Sequence, residues 1–247
     1  MLTVVNVLCI QDGKSFIGIG GSNLDPSGQI SVITQNSYGY GDIIRLLAYC
    51  TKIKKIINKQ IKPKFLVLPH QRHLAKNIHH VLSHFDLEID YEIEINTLQS
   101  YKDHYTNLLH VKNAKIIREN LGVPKLKTKK PGIELDYIAV WNPYTMFSDI
   151  PKEKMPIPKI DFEKLMSNYK IKLVDYTMHP NETFDIIRKA KFCVGYEGLG
   201  QAIAYNYNKK LITMSLWKDV SINTGGTESV IVDNIFDLKD RINEWNY

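Results

Sequence analysis

The chain has 247 residues, 44% of them hydrophobic, enough for one large domain or two smaller ones with real cores. No run approaches the roughly 18 to 20 apolar residues that span a bilayer, and the opening Met1-Leu-Thr-Val-Val-Asn-Val-Leu8 lacks the basic start of a signal peptide, so no membrane insertion and a cytoplasmic location are expected. The net charge of +6 is uneven: residues 1–133 hold 18 Lys and Arg against 10 Asp and Glu (+8), and residues 134–247 hold 14 against 16 (−2). A basic first half suggests a polyanionic partner such as nucleic acid, with solvated surface lysines as the alternative.

In chain order, residues 3–10 and 15–20 are β-like runs around Asp12-Gly13, a hairpin signal. A turn at Asp25-Pro-Ser-Gly28 leads to a strand over 30–34. After Asn36-Ser-Tyr-Gly39-Tyr-Gly41-Asp42, the residues Ile43, Ile44, Leu46, Leu47, Cys50, Ile53, Ile56 and Ile57 fall at helical spacing. A strand over 64–69, a helix over 70–85, an alternating strand over 87–95 and a helix over 108–120 complete the first half. Four lysines, two prolines and two glycines in residues 121–132 mark the linker, which places the domains at 1–125 and 126–247.

The second half continues with a strand over 137–141, a Pro-rich loop, a helix over 161–169 and a strand over 171–176. A helix over 181–189 follows, with Asn181 as its expected N-cap. Next come a strand over 192–196, a helix over 199–207, a strand over 211–214 and a last helix over 236–245. Strands alternating with helices call for parallel sheets, and two such halves read as two Rossmann-like domains facing a cleft. Cys9, Cys50 and Cys193 are odd in number, widely spaced and set among apolar neighbours, which reads as reduced core cysteines.

Several segments carry candidate chemistry. Tyr38-Gly39-Tyr40-Gly41-Asp42 follows a strand and opens a helix, where glycines let a ligand approach and free N–H groups favour negative charge. Asp42 can serve there as a general base for an acceptor hydroxyl, or it simply stabilises the first helical turn. His70 and Arg72, at the end of a strand, can touch the same acceptor. The neighbouring histidines lack the spacing of a metal site, so a solvated helix face is expected and no metal is assigned. Gly18-Ile-Gly20-Gly21 has no helix behind it and reads as strand packing or a bend.

In the second half, Asn142 at a strand end can hydrogen-bond a diphosphate that Lys154 neutralises. Glu197 at the next strand end, beside a helix that begins with Gly198 and Gly200, can accept two hydrogen bonds from a ribose or sugar diol. A tight turn capped by Glu197 is the structural alternative. Trp217, Lys218 and Thr224 lie in a polar loop suited to the same pocket or to an ordinary connection.

Together these residues resemble the GT-B glycosyltransferases, most closely the heptosyltransferase-like group. The run Ala190-Lys-Phe-Cys-Val-Gly-Tyr-Glu197, followed by Gly-Leu-Gly-Gln-Ala-Ile-Ala and Lys210-Leu-Ile-Thr-Met, is similar to the group's strand ending in Gly-Asn-Asp, small-residue helix and next strand. Gly41-Asp42-Ile-Ile resembles its Gly-Asp-Val/Ile loop, whose aspartate is thought to be the base. Trp141-Asn-Pro143 with Lys154-Met-Pro156 resembles its strand-end Pro-Gly and Lys-Arg-Trp-Pro region. Glu197 stands in place of the group's aspartate, Gly198-Leu199-Gly200 in place of Ser/Thr-Gly-Pro, and Ala202 in place of a histidine. With these departures the resemblance names no donor sugar.

The resemblance implies a nucleotide-sugar donor, no required cofactor, and transfer to an acceptor hydroxyl. Added to the basic first half, it gives the expectation of an anionic acceptor, DNA first. The small size and Lys-, Asn- and Ile-rich composition match phage proteins, so a modified base such as hydroxymethylcytosine is the concrete acceptor expected. A cell-surface glycan or lipid, a non-catalytic nucleotide- or nucleic-acid-binding GT-B-like protein, and a sugar-nucleotide epimerase remain the alternatives.

Overall fold

The β-like runs on either side of Asp12-Gly13 fold back as β1 (Val7–Gln11) and β2 (Lys14–Ile19). Gln11 pairs with Lys14, so the hairpin loop is the expected two residues. The structure, a computed structural model, describes residues 7–11, 14–19, 30–35, 40–57, 61–67, 72–95, 115–119, 124–142, 144, 155–175, 177–196, 198–214 and 229–246. The chain divides into two units, Met1–Lys127 and Thr128–Tyr247.

In the first unit, β3 (Ile30–Gln35), β4 (Ile61–Val67) and β5 (Glu92–Ile95) form a parallel sheet in that order. Helix α1 (Tyr40–Ile57) joins β3 to β4 as a βαβ crossover, and α2 (Arg72–Leu82) precedes β5. The periodic apolar positions of α1 explain its place: Ile43, Ile44, Leu47 and Cys50 are buried, as are Ile78, Val81 and Leu82 of α2. β4 begins three residues before the expected Lys64, with Pro63 inside it, a residue that ordinarily marks a strand boundary.

The helix expected over 108–120 is corrected at 115–119; residues 108–114 lie outside the described residues. Residues Lys115–Glu119 form a strand, β6, antiparallel to β2, with Ile117 opposite Ile17. The two β-branched isoleucines of Lys-Ile-Ile-Arg-Glu suit a pleated surface, and the partner strand that selects this conformation lies about a hundred residues away in sequence.

The second unit holds β7 (Leu135–Trp141), β8 (Ile171–Val174), β9 (Ala190–Gly195), β10 (Leu211–Met214) and β11 (Ser229–Val232). They form one sheet in the order β11-β10-β9-β7-β8, every neighbouring pair parallel. The sequence reading assigned no strand at 229–232. The helices are α3 (Lys159–Met166), α4 (Pro180–Lys189), α5 (Leu199–Asn206) and α6 (Ile235–Asn246).

Two sets of side chains alternate along these strands. Ile138, Val140, Phe192, Val194, Ile212, Met214 and Val232 join Phe162, Leu165 and Met166 of α3 with Leu238 and Ile242 of α6 in one core. The intervening residues, among them Tyr137, Ala139, Cys193 and Leu211, are buried on the face that α4 and α5 cover. Burial on both faces is why the central strands read as continuous apolar runs, whereas the edge strands β8 and β11 expose Leu173 and Ile231.

Helix ends follow local chemistry. The expected N-cap of α4, Asn181, is corrected to His179, whose Nδ1 accepts the Asn181 N–H at 3.2 Å. Pro180 then occupies the first helical position, where a missing N–H costs nothing. Helix α5 ends in a Schellman motif: Lys209 N–H bonds the Ala204 carbonyl at 2.9 Å, Asn208 N–H bonds Tyr205 at 3.2 Å, and Asn208 takes φ 55°. Cys50 and Cys193 are free, buried thiols; Cys9 lies in β1, its side chain outside the described residues.

Candidate functional site

The strand order of the second unit determines where a ligand can enter. From β7 the chain moves outward to β8, then returns across β7 to β9 and continues to β10 and β11. The direction therefore reverses between β7 and β9. In open parallel sheets, ligands bind outside the carboxyl ends of the strands at such a switch point, because the two following loops diverge there. Val140 is the register partner of Val194, so the ends of the two strands, Trp141-Asn142 and Gly195-Tyr196, stand side by side.

One side chain ties these ends together. The Trp141 indole is buried and its Nε1–H donates to the Tyr196 carbonyl at 2.7 Å. A methyl group on Gly195 would lie 2.0 Å from the indole, and one on Gly200 would lie 2.6 Å from it. Both positions therefore require glycine for packing alone. Gly198 differs: its φ is 140°, a conformation side-chain-bearing residues rarely adopt, and a methyl group there would meet nothing within 4 Å among the described residues. As the N-cap of α5 it offers no side chain to the first helical N–H groups. An open backbone at a helix N-terminus favours an anion.

Asn142 shapes the loop after β7. Its Oδ1 accepts the Tyr144 N–H at 2.8 Å, turning the chain so that the Tyr144 ring meets Phe162 at 5.8 Å between centroids. The Tyr144 hydroxyl is buried without a hydrogen-bond partner among the described residues, and burial pushes its pKa up to about 12. The Thr213 hydroxyl near the end of β10 is likewise buried and unpartnered. Thr213 is the register partner of Gly195, so it lies beside the switch point on the Trp141 face of the sheet. Two desolvated, unbonded hydroxyls near the carboxyl end of one sheet are unusual, since buried polar groups are nearly always bonded.

Of the residues expected from sequence, the structure brings Asn142, Gly198 and Gly200 to the ends of β7 and β9. Tyr38, Gly39, His70, Lys154, Glu197, Trp217, Lys218 and Thr224 lie outside the described residues. Tyr40 begins α1, half-buried, with Gly41 buried beside it. Asp42 and Arg72 lie in the first turns of α1 and α2, their side chains outside the described residues. Trp141, Tyr144 and Thr213 were not assigned any role from sequence. The only local signal was a tryptophan at a strand end; the glycines that receive it are more than fifty residues further on.

Lysines of the first unit are engaged by Asp86 and Glu88, between α2 and β5, and by Glu92 of β5. Lys54 Nζ donates to the Glu88 carbonyl at 2.6 Å, and Lys55 pairs with the Glu88 carboxylate at 2.9 Å. Lys62 pairs with Glu92, and Lys127 with Asp86 at 2.7 Å. These exposed pairs add little stability, and their carboxylates are already counted in the net charge of that half.

No protein-family profile and no curated protein sequence matches the chain. Solved structures do match in shape. E. coli heptosyltransferase WaaC with ADP superposes with a TM-score of 0.51 at 11% identity, covering 88% of this chain and 99% of that one. The same enzyme with ADP-2-deoxy-2-fluoro heptose gives 0.48 at 11% identity, over 87% and 99% of the two chains. A glycosyl transferase of family 9 from Veillonella parvula DSM 2008 gives 0.45 at 8% identity, over 89% and 91%. The chain thus has a mixed α/β fold with parallel sheets, matching that of a GT-B-type heptosyltransferase.

Proposed function

We propose that this protein is a glycosyltransferase that moves a sugar from a nucleotide-sugar to an acceptor hydroxyl, with the donor diphosphate seated where β7 and β9 end. The observation that carries the proposal is Gly198, an open, positive-φ backbone at the N-terminus of α5 and beside the switch point of a parallel sheet. The fold likeness to a heptosyltransferase that holds ADP supports it. The Asn142 oxygen is engaged by Tyr144, which leaves its amide N–H groups to donate to phosphate. Lys154, Trp217, Lys218 and Thr224 complete the donor contacts in this reading, and Glu197 holds the ribose or sugar diol.

Asp42 is the general base we assign, with Tyr38, Gly39, Tyr40, Gly41, His70 and Arg72 toward the acceptor. Asp42 takes the acceptor proton as the acceptor oxygen bonds to the anomeric carbon. The bond from that carbon to the diphosphate breaks, and nucleoside diphosphate leaves, its charge met by the α5 N-terminus and lysines. The acceptor we favour is anionic, because the first half carries a net +8 with its acidic residues counted. DNA containing hydroxymethylcytosine is the acceptor to try first.

The test is mass spectrometry of such DNA, and of an anionic oligosaccharide, each incubated with the protein and a panel of nucleotide-sugars. A hexose- or pentose-sized mass gain with release of nucleoside diphosphate is expected, and Asp42→Asn should keep donor binding while losing turnover. Transfer to the oligosaccharide, with no DNA binding in moderate salt, would remove DNA and keep the transferase. Absence of donor binding and of turnover across the panel would remove the transferase itself.

A further inference from the structure

We infer that Trp141 is the positioning residue of this site, and that Gly195 and Gly200 are glycines in order to seat its indole, leaving Gly198 alone to meet a ligand. The inference rests on the proposed donor site for its binding readout only; its backbone readout stands without it. Trp141 is the last residue of β7 and lies beside Gly195, the last residue of β9. Its bicyclic ring covers Gly195, where an added methyl would fall 2.0 Å from both Cε2 and Nε1. The ring also reaches Gly200, the second residue of α5, where an added methyl would fall 2.6 Å from Cδ2.

Between these two contacts the indole N–H holds the Tyr196 carbonyl at 2.7 Å. One rigid side chain therefore fixes the segment before Glu197 and the helix after it. Protein interiors transmit such constraints because they are close-packed, so the direction of the α5 N–H groups relative to the end of β9 is set by the indole. A β-carbon at either flank would displace the ring and break its hydrogen bond. The three glycines of Gly195-x-x-Gly198-x-Gly200 thus divide their roles: two face the indole, and Gly198 meets no other described residue.

The test begins with Trp141→Phe, which keeps an aromatic ring and removes the indole bond to the Tyr196 carbonyl. Hydrogen exchange across 195–200 should quicken about tenfold or more, while α3 and α6 on the opposite face keep parental rates. The Kd for whichever of ADP, UDP and GDP the parent binds should rise about tenfold, the scale of one hydrogen bond. Trp245→Phe, altering a tryptophan packed on Phe192 instead, should lower the melting temperature without a selective change at 195–200.

Should Trp141→Phe fail to fold, a double-mutant cycle decides. Gly200→Ala should lower the melting temperature strongly in the parent and much less beside Trp141→Leu, whose smaller side chain leaves room for the methyl. Unchanged exchange at 195–200, equal nucleotide affinity in parent and Trp141→Phe, or an equal cost of Gly200→Ala in both backgrounds would overturn the inference. If the parent binds none of the three nucleotides, the donor reading fails and the exchange and cycle experiments still decide the role of Trp141.

Discussion

Lys209 Nζ donates to the Ile133 carbonyl at 2.6 Å, joining the turn after α5 to the segment that enters β7. The same ammonium bonds the Ala190 carbonyl at 2.6 Å, where β9 begins, and the Ile133 N–H bonds the Arg188 carbonyl at 2.9 Å. The Schellman turn at Asn208 delivers Lys209 to this place. One cation thus closes the amino end of the sheet, opposite the candidate site.

Lys209→Met should therefore destabilise the second unit by about 2 kcal/mol, since bonds from a charged donor are worth roughly 1.5 to 3 kcal/mol and the two carbonyls would be left unpaired. Urea unfolding followed by tryptophan fluorescence would measure it. Nucleotide affinity should stay at the parental value, because the site is at the other end of the strands. A midpoint equal to that of the parent would show that the clamp contributes nothing net.

Gly198→Ala separates backbone strain from packing. No atom of the described residues lies within 4 Å of the added methyl, so its cost is that of holding alanine at φ 140°, on the order of 1–3 kcal/mol. Shrinking Trp141 should not relieve it, in contrast to Gly200→Ala. Melting temperatures of the single and double variants would show whether the two glycines differ in this way.

Thr213→Val should raise stability by about 1 kcal/mol, because it replaces a buried hydroxyl that is unbonded among the described residues with a methyl of similar size. Tyr144→Phe should act in the same direction. Chemical unfolding midpoints above the parent are expected for both. Lower midpoints would mean that these hydroxyls are bonded in solution.

The buried thiols should make the protein sensitive to alkali. Desolvation by burial pushes both Cys50 and Cys193 from the ordinary value of 9.0 up to about 12. Above pH 9 the unfolded chain loses these protons and the folded chain keeps them, so stability falls between pH 9 and 12. The slope is about 1.4 kcal/mol per pH unit for each thiol. Lys209 acts oppositely: desolvation lowers its pKa, so its contribution rises as pH climbs through the lowered value toward 10.5. Cys193→Ala should flatten the alkaline fall, and Lys209→Met should steepen it, when unfolding free energy is followed against pH.

Much of the fold was legible because its signals are local. The spacing of Ile43, Ile44, Leu47 and Cys50 marked α1, Asp12-Gly13 marked the hairpin, and the apolar run before Gly195 marked β9. The run at 115–119 misled because its identity as a strand depends on β2, and the N-cap of α4 was misplaced by two residues because a histidine did the capping. For the site, Asn142, Gly198 and Gly200 were visible as polar and glycine residues at strand ends. The separate purposes of the glycines were not, since a glycine required by φ and one required by a neighbouring ring look alike in sequence.

By itself the sequence determined most of the segments that form helices and strands, residues 115–119 and 229–232 apart, that they alternate, and that the positive charge lies in the first half. These follow from periodicity, turn residues and composition, which act over a few positions. Tertiary structure alone decided that β7 and β9 are neighbours, which puts the switch point at Trp141 and Gly195. It also decided that the indole rests on Gly195 and Gly200 and bonds Tyr196, and that Lys209 meets Ile133 and Ala190. Such contacts depend on strand order and register, which join residues far apart in the chain and which no local pattern encodes.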